Sequence, residues 1–145
     1  MDSSYAGYRH SVLTLKLDKK LPSSTMSISL DRIYFKKCSN CGFKWTSRDS
    51  FLTDSTLQII GYQASFKELT TGLLYFNHSC RGTLAIQAYL FGDLYDGPIF
   101  KERATGGKAC PGYCLHREEL QPCPAECECA YVREIVQIIK KWPKR

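Results

Sequence analysis

One five-residue device occurs twice in this chain: residues 110–114 read Cys-Pro-Gly-Tyr-Cys, and residues 123–127 read Cys-Pro-Ala-Glu-Cys. Four of the eight cysteines are thereby placed within 18 residues of one another. A further pair lies far upstream in Cys38-Ser-Asn-Cys41-Gly, and His78-Ser-Cys80 falls between the two groups. Thiols grouped in this way hold a metal, join as disulfides or do redox work.

In the first group, Cys38 and Cys41 can approach one ion from a tight turn. The amides of such a turn hydrogen-bond to sulfur, and Gly42 permits the left-handed backbone that the turn needs. Tetrahedral zinc takes four ligands, so a second pair must come from elsewhere. His78 and Cys80 supply it from the expected link between two strands. Four protein ligands make a closed structural site, where a catalytic zinc would keep one position open. The Cys38-x2-Cys41-Gly segment resembles the knuckle of ribbon-type zinc proteins. That resemblance implies a knuckle facing a hairpin tip, although the second half here is His-x-Cys in place of Cys-x2-Cys.

The second group is expected to use Cys110, Cys114, Cys123 and Cys127. Proline after each leading cysteine favours a helix start, with the second cysteine one turn later on the same side. A helix N-terminus stabilises thiolates. Two such half-sites could close around zinc or around a four-iron four-sulfur cluster. Two disulfides would satisfy the same geometry in an oxidising compartment, and a redox-active dithiol is a further alternative. Cys129 and His116 are spare candidates.

No phosphate-binding loop, dinucleotide fingerprint, His-Glu-x-x-His run or nucleophile elbow occurs in the sequence. With three histidines in all, one of them assigned to a metal, little remains for histidine-based catalysis. A non-enzymatic role is therefore expected.

The net charge of +6 is unevenly spread. Residues 115–134 hold five acids against two basic residues, while Lys140, Lys141, Lys144 and Arg145 make the tail basic. Such an excess permits weak, non-specific contact with nucleic acid, without sequence reading. Protein is the expected partner. No apolar run approaches the ~20 residues that span a bilayer, so no membrane partner is expected. The first residues lack a secretory pattern, so, taking the given start as the true one, a cytosolic protein is expected, and there thiols favour metal or redox use.

These sites need elements to carry them. Residues 11–17 and 26–35 alternate in the manner of strands, as do residues 57–66, 72–77 and 83–90. Gly61 is a candidate bulge, and His78 to Gly82 a hairpin link. Residues 48–57 suggest a short helical turn capped by Asp49 or Asp54. Trp45 is expected to cover the metal site, and the aromatics of 91–100 to plug the core. Val132, Ile135, Val136 and Ile139 form an apolar stripe at helical spacing, in a helix expected over 124–142. The reading is α+β: a flexible N-terminus (1–10), an antiparallel β domain with the metal knuckle (11–92), a connecting segment (93–109), and a Cys-rich helical segment packed on the sheet (110–145).

Overall fold

The computed structural model describes residues 33–145. The strands expected at 11–17 and over most of 26–35 lie outside the described residues. The described chain is a mixed α+β fold with two small antiparallel sheets. β1 (Lys36–Lys37) pairs with β2 (Lys44–Trp45), and the turn between them carries Cys38 and Cys41. β3 (Leu57–Gln63), β4 (Leu73–His78) and β5 (Thr83–Gln87) form the second sheet in that order.

Side-chain alternation makes this sheet one-sided. Leu74 and Phe76 of β4 and Leu84 and Ile86 of β5 are buried, while Asn77, Thr83 and Gln87 face solvent. β3 loses the alternation in its middle because the register slips between Ile59 and Gly61, leaving Ile60 as the extra residue of a bulge. Gly61 matters there for its missing side chain. A Cβ would stand 3.1 Å from the Arg117 carbonyl oxygen, and the Arg117 carbonyl accepts the Tyr62 amide at 2.8 Å. The bulge thus brings the 113–117 segment, with Cys114, against the sheet.

α1 (Arg48–Thr53) is a short helix whose cap is Ser47, not Asp49 or Asp54. The Ser47 hydroxyl accepts the Ser50 amide at 3.0 Å, and the Ser50 hydroxyl accepts the Ser47 amide at 3.1 Å. Asp54 ends the helix, and its carboxylate accepts the Trp45 indole N–H at 2.7 Å. The last carbonyls of α1 are taken by the C-terminal tail: Lys144 Nζ donates to Leu52 and the Arg145 amide to Thr53.

The strand expected to run to Leu90 stops at Gln87, where the chain enters a 3-10 turn over Ala88–Leu94 and buries Phe91. Phe35, Trp45, Phe51, Phe76 and Phe91 then form one aromatic cluster, with Phe51 4.9 Å from Phe76 and 5.2 Å from Trp45 between ring centroids.

α2 (Ala130–Lys140) buries the expected stripe of Val132, Ile135, Val136 and Ile139 against β3 and the Ala88–Leu94 turn. It begins later than the 124–142 reading placed it. The amides that would have opened a helix at Pro124 are committed elsewhere. The Glu128 amide donates to the Glu102 carbonyl, the Cys129 amide to the Cys127 sulfur, and the Cys127 amide to the Ala125 carbonyl. Cys110 does not start a helix either. Gly112, at φ 80°, introduces the 3-10 turn Tyr113–Leu115.

Candidate metal centre

The β1–β2 turn and the β4–β5 hairpin tip meet at the edge of the aromatic cluster. There the ligand atoms of Cys38, Cys41, His78 and Cys80 all lie within 4.8 Å of one another. The closest pairs are His78 Nδ1 to Cys80 Sγ at 3.3 Å, Cys41 Sγ to His78 Nδ1 at 3.5 Å and Cys38 Sγ to Cys80 Sγ at 3.6 Å. Ligands at ordinary zinc bond lengths and tetrahedral angles stand about 3.8 Å apart for two sulfurs and about 3.6 Å apart for sulfur and nitrogen. These three edges fall close to those values and the remaining ones stay within 4.8 Å, so this Cys3His group is compatible with a metal ion such as zinc.

Both turns are built for their sulfurs. Gly42 has φ 82° and donates its amide to the Cys38 carbonyl at 2.8 Å. At the hairpin tip Arg81 takes the left-handed conformation, with φ 74°, which is uncommon for a side chain of its size. That conformation turns the Gly82 amide onto Cys80 Sγ at 3.3 Å. Asn40 crosses between the turns, its Nδ2 donating to the Cys80 carbonyl at 2.9 Å and to Cys80 Sγ at 3.3 Å. Gly82 is required by the close approach, because a Cβ would lie 2.7 Å from Asn40 Cβ, 3.1 Å from Cys80 Sγ and 3.2 Å from Cys38 Sγ. Sequence reasoning singled out the four residues of this group but neither Asn40 nor Gly82, whose roles exist only once the two turns meet.

These donors shape the proton affinities. The Asn40 side chain and, against the opposing effect of burial, the Gly82 amide pull the Cys80 thiol down to about 6. The amides of Cys41 and Asn40 lower Cys38, again against burial. The Phe43 amide favours a Cys41 thiolate, but lost solvation and the neighbouring Cys38 and Cys80 sulfurs raise its pKa on balance. Burial disfavours His78 as a cation, yet Cys38 and Cys80 outweigh it and raise the imidazole. These donors thus favour the thiolate at Cys38 and Cys80, the form that a divalent ion binds.

Trp45 closes the inner side, edge-on to His78 at 5.0 Å, and is 2% exposed. Its indole is fixed by Asp54. Lost solvation works against the Asp54 carboxylate, but hydrogen bonds from Thr56 and Trp45 hold its pKa below the ordinary value. Phe43 covers part of the outer side, 6.0 Å from His78, and remains half exposed.

The second group assembles differently from the expected Cys110, Cys114, Cys123 and Cys127. Sulfur contacts join Cys114 to Cys129 and Cys127 to Cys129, each at 3.3 Å. Cys129 occupies the middle position as the residue preceding α2. Cys110 Sγ accepts the Gly112 amide at 3.4 Å, and Cys123 Sγ stands 3.9 Å from the Ala125 carbonyl, with the Ala125 amide favouring its thiolate. His116 is exposed in the turn after Leu115. Arg133 reaches this group from α2, with Nη1 3.7 Å from Cys114 Sγ. The hydrogen bond with Cys129 and the Arg133 cation bring the Cys114 thiol down to about 6 against burial. The Cys129 thiol is raised by its contact with Cys114, by burial and by Cys127. Among the described residues, only the first group has all its ligand atoms gathered within 4.8 Å.

Comparison with known protein families, with characterised proteins and with solved structures finds no significant match to this chain. What it is rests on its own geometry: a mixed α+β, cysteine-rich fold with a Cys3His group able to hold a metal. Among the described residues no helix is long and apolar enough to cross a membrane.

Proposed function

We propose that this is a small zinc-binding protein of a reducing compartment, the cytosol, acting as a non-enzymatic binding or regulatory module. The supporting observation is the convergence of Cys38, Cys41, His78 and Cys80 on one point. Four protein donors fill a tetrahedral zinc and leave no position for substrate. The ion would act as a cross-link that holds the β1–β2 turn to the β4–β5 tip, in a ribbon-like arrangement. Protein is the favoured partner. The basic residues are scattered over several elements and offer no single recognition face for a nucleic acid. Any nucleic-acid binding is therefore expected to be non-specific and to weaken steeply with salt.

The test is chelation under reducing conditions. Loss of zinc should lower the melting temperature sharply and no reversible redox couple should be found. A second reading, a redox protein working through an iron–sulfur cluster or reactive thiols, is favoured by the 3.3 Å contact between Cys114 and Cys129 beside Arg133. A reversible titration at a defined potential, abolished by Cys114→Ser, would put that reading first.

A further inference from the structure

We propose that Cys114 and Cys129 form an oxidation site, at which a hydroperoxide converts the two thiols to a disulfide. The proposal develops the reactive-thiol reading above, and neither residue belongs to the Cys3His group. Under the reducing conditions of the chelation test both sulfurs stay thiols, and an oxidant is needed to close the bond.

Three sulfurs of this region form a row. Cys129 stands 3.3 Å from Cys114 on one side and 3.3 Å from Cys127 on the other, and the trio does not gather around one point as the Cys3His ligands do. A row suits a bond between neighbours better than an ion shared by all. From 3.3 Å, the Cys114 and Cys129 sulfurs need to close by about 1.2 Å to reach disulfide length. Cys114 lies in the turn Tyr113–Leu115 and Cys129 just before α2, so the bond would tie the 113–117 segment to the start of that helix. Cys127 is less free to take part. Its sulfur accepts the Ala104 amide at 3.1 Å, and the amide of Glu128, the one residue between it and Cys129, is committed to the Glu102 carbonyl.

Arg133 marks Cys114 as the nucleophile. It is 1% exposed, and among the described residues no carboxylate lies within ion-pair distance of it. Its guanidinium donates to the Gln121 carbonyl at 2.6 Å and to the Glu119 carbonyl, and stands over the Tyr62 and Tyr113 rings. These contacts leave Nη1 3.7 Å from Cys114 Sγ. A buried cation with no carboxylate is costly, and an anionic sulfur beside it offsets that cost. The thiolate is also the form that attacks an oxidant. Cys114 is the most exposed of the three, at 9% against 3% for Cys129 and 1% for Cys127. Access this narrow selects a small oxidant such as hydrogen peroxide over the disulfide of another protein.

Peroxide is the only co-reactant. The Cys114 thiolate attacks one peroxide oxygen. An S–O bond forms, the O–O bond breaks, and the departing hydroxide takes a proton from solvent and leaves as water. The Cys129 sulfur then attacks the sulfenic acid on Cys114. The S–S bond forms, the S–O bond breaks, and the hydroxyl leaves with the Cys129 proton as a second water. The two sulfurs together lose two electrons, and the peroxide gains them.

The test uses the full chain, purified without oxygen and treated in the folded state with limiting hydrogen peroxide. Remaining thiols are blocked with N-ethylmaleimide in denaturant, and unreduced peptides are mapped by mass spectrometry. Cys114 and Cys129 should disappear together from the blocked thiols and be recovered as one disulfide-linked pair, with Cys127 blocked. Cys129→Ser should leave Cys114 as a sulfenic acid that dimedone traps. Because Cys129 lies in the core, the map of the unmodified chain stands whether or not that variant folds. A bond mapped to another pair would overturn the proposal. So would recovery of Cys114 and Cys129 as blocked thiols, or protection of both until a chelator is added. Zinc is measured on the same sample, so failure of the Cys3His reading shows as a missing ion and leaves the mapped bond in place.

Discussion

Gly82→Ala should weaken metal binding at the Cys3His centre with little effect on the rest of the fold. The added methyl would stand 2.7 Å from Asn40 Cβ, where ordinary contacts begin at 3.4 Å, so the two turns must separate by several tenths of an ångström. It would also press on Cys80 Sγ and Cys38 Sγ, at 3.1 and 3.2 Å. Overpacking of this kind costs about 1–3 kcal/mol, which corresponds to roughly a five- to 150-fold loss of affinity if the strain falls mainly on the metal-bound geometry. The separation also stretches the Asn40 bonds to Cys80, so the loss should fall in the upper half of that range. The assay is competition for zinc against a chromophoric chelator, with cobalt(II) spectra reporting the ligand set. Gly42→Ala is the control. It has φ 82° and nothing within 4 Å of its added methyl, so its cost of about 1–2 kcal/mol is conformational and not steric. If Gly82→Ala bound zinc as tightly as the unmodified protein, the two turns would not be held together by the ion.

Other outcomes follow from the same structure. Ile135→Ala, at a position with no exposure in the core beneath α2, should cost about 2–5 kcal/mol in urea unfolding with zinc bound. Ser47→Ala removes the reciprocal cap of α1 and should cost about 0.5–2 kcal/mol in the same assay. Asp54 has a folded pKa below its unfolded value, so its stabilising contribution is present above about pH 4 and is lost as the pH falls through the folded value. The stability gap between the unmodified protein and Asp54→Asn should therefore shrink on acidification below that point, as measured by unfolding at stepped pH.

The Cys3His group was legible in the sequence because its halves are local. Gly42 after Cys41 marks one turn, and the alternation of Leu74 and Phe76 with Leu84 and Ile86 fixes the other at His78 to Gly82. What joins the halves was not legible. Asn40 and Gly82 act across the gap between the two turns, and no periodicity records a distance of that kind. The stripe from Val132 to Ile139 announced α2, but its start was misread because Pro124 is a local signal. Tertiary partners prevailed over it, since the Glu102 carbonyl and the Cys127 sulfur take the amides of Glu128 and Cys129. The same event explains Cys129. Spacing singled out the doubled Cys-Pro device, whereas the fold brings Cys129 between Cys114 and Cys127 by delaying the helix. Gly61 was readable as a bulge, though its purpose, admitting the Arg117 carbonyl beside β3, was not.

The most direct measurement is the metal content of anaerobically purified protein beside its Cys80→Ser variant, with free thiols counted on both. The unmodified chain should carry zinc with its ligand thiols unreactive until a chelator is added, and the variant should hold one zinc fewer. An unmodified chain that is folded and metal-free, with Cys38, Cys41 and Cys80 all reacting as ordinary thiols, would contradict the central claim.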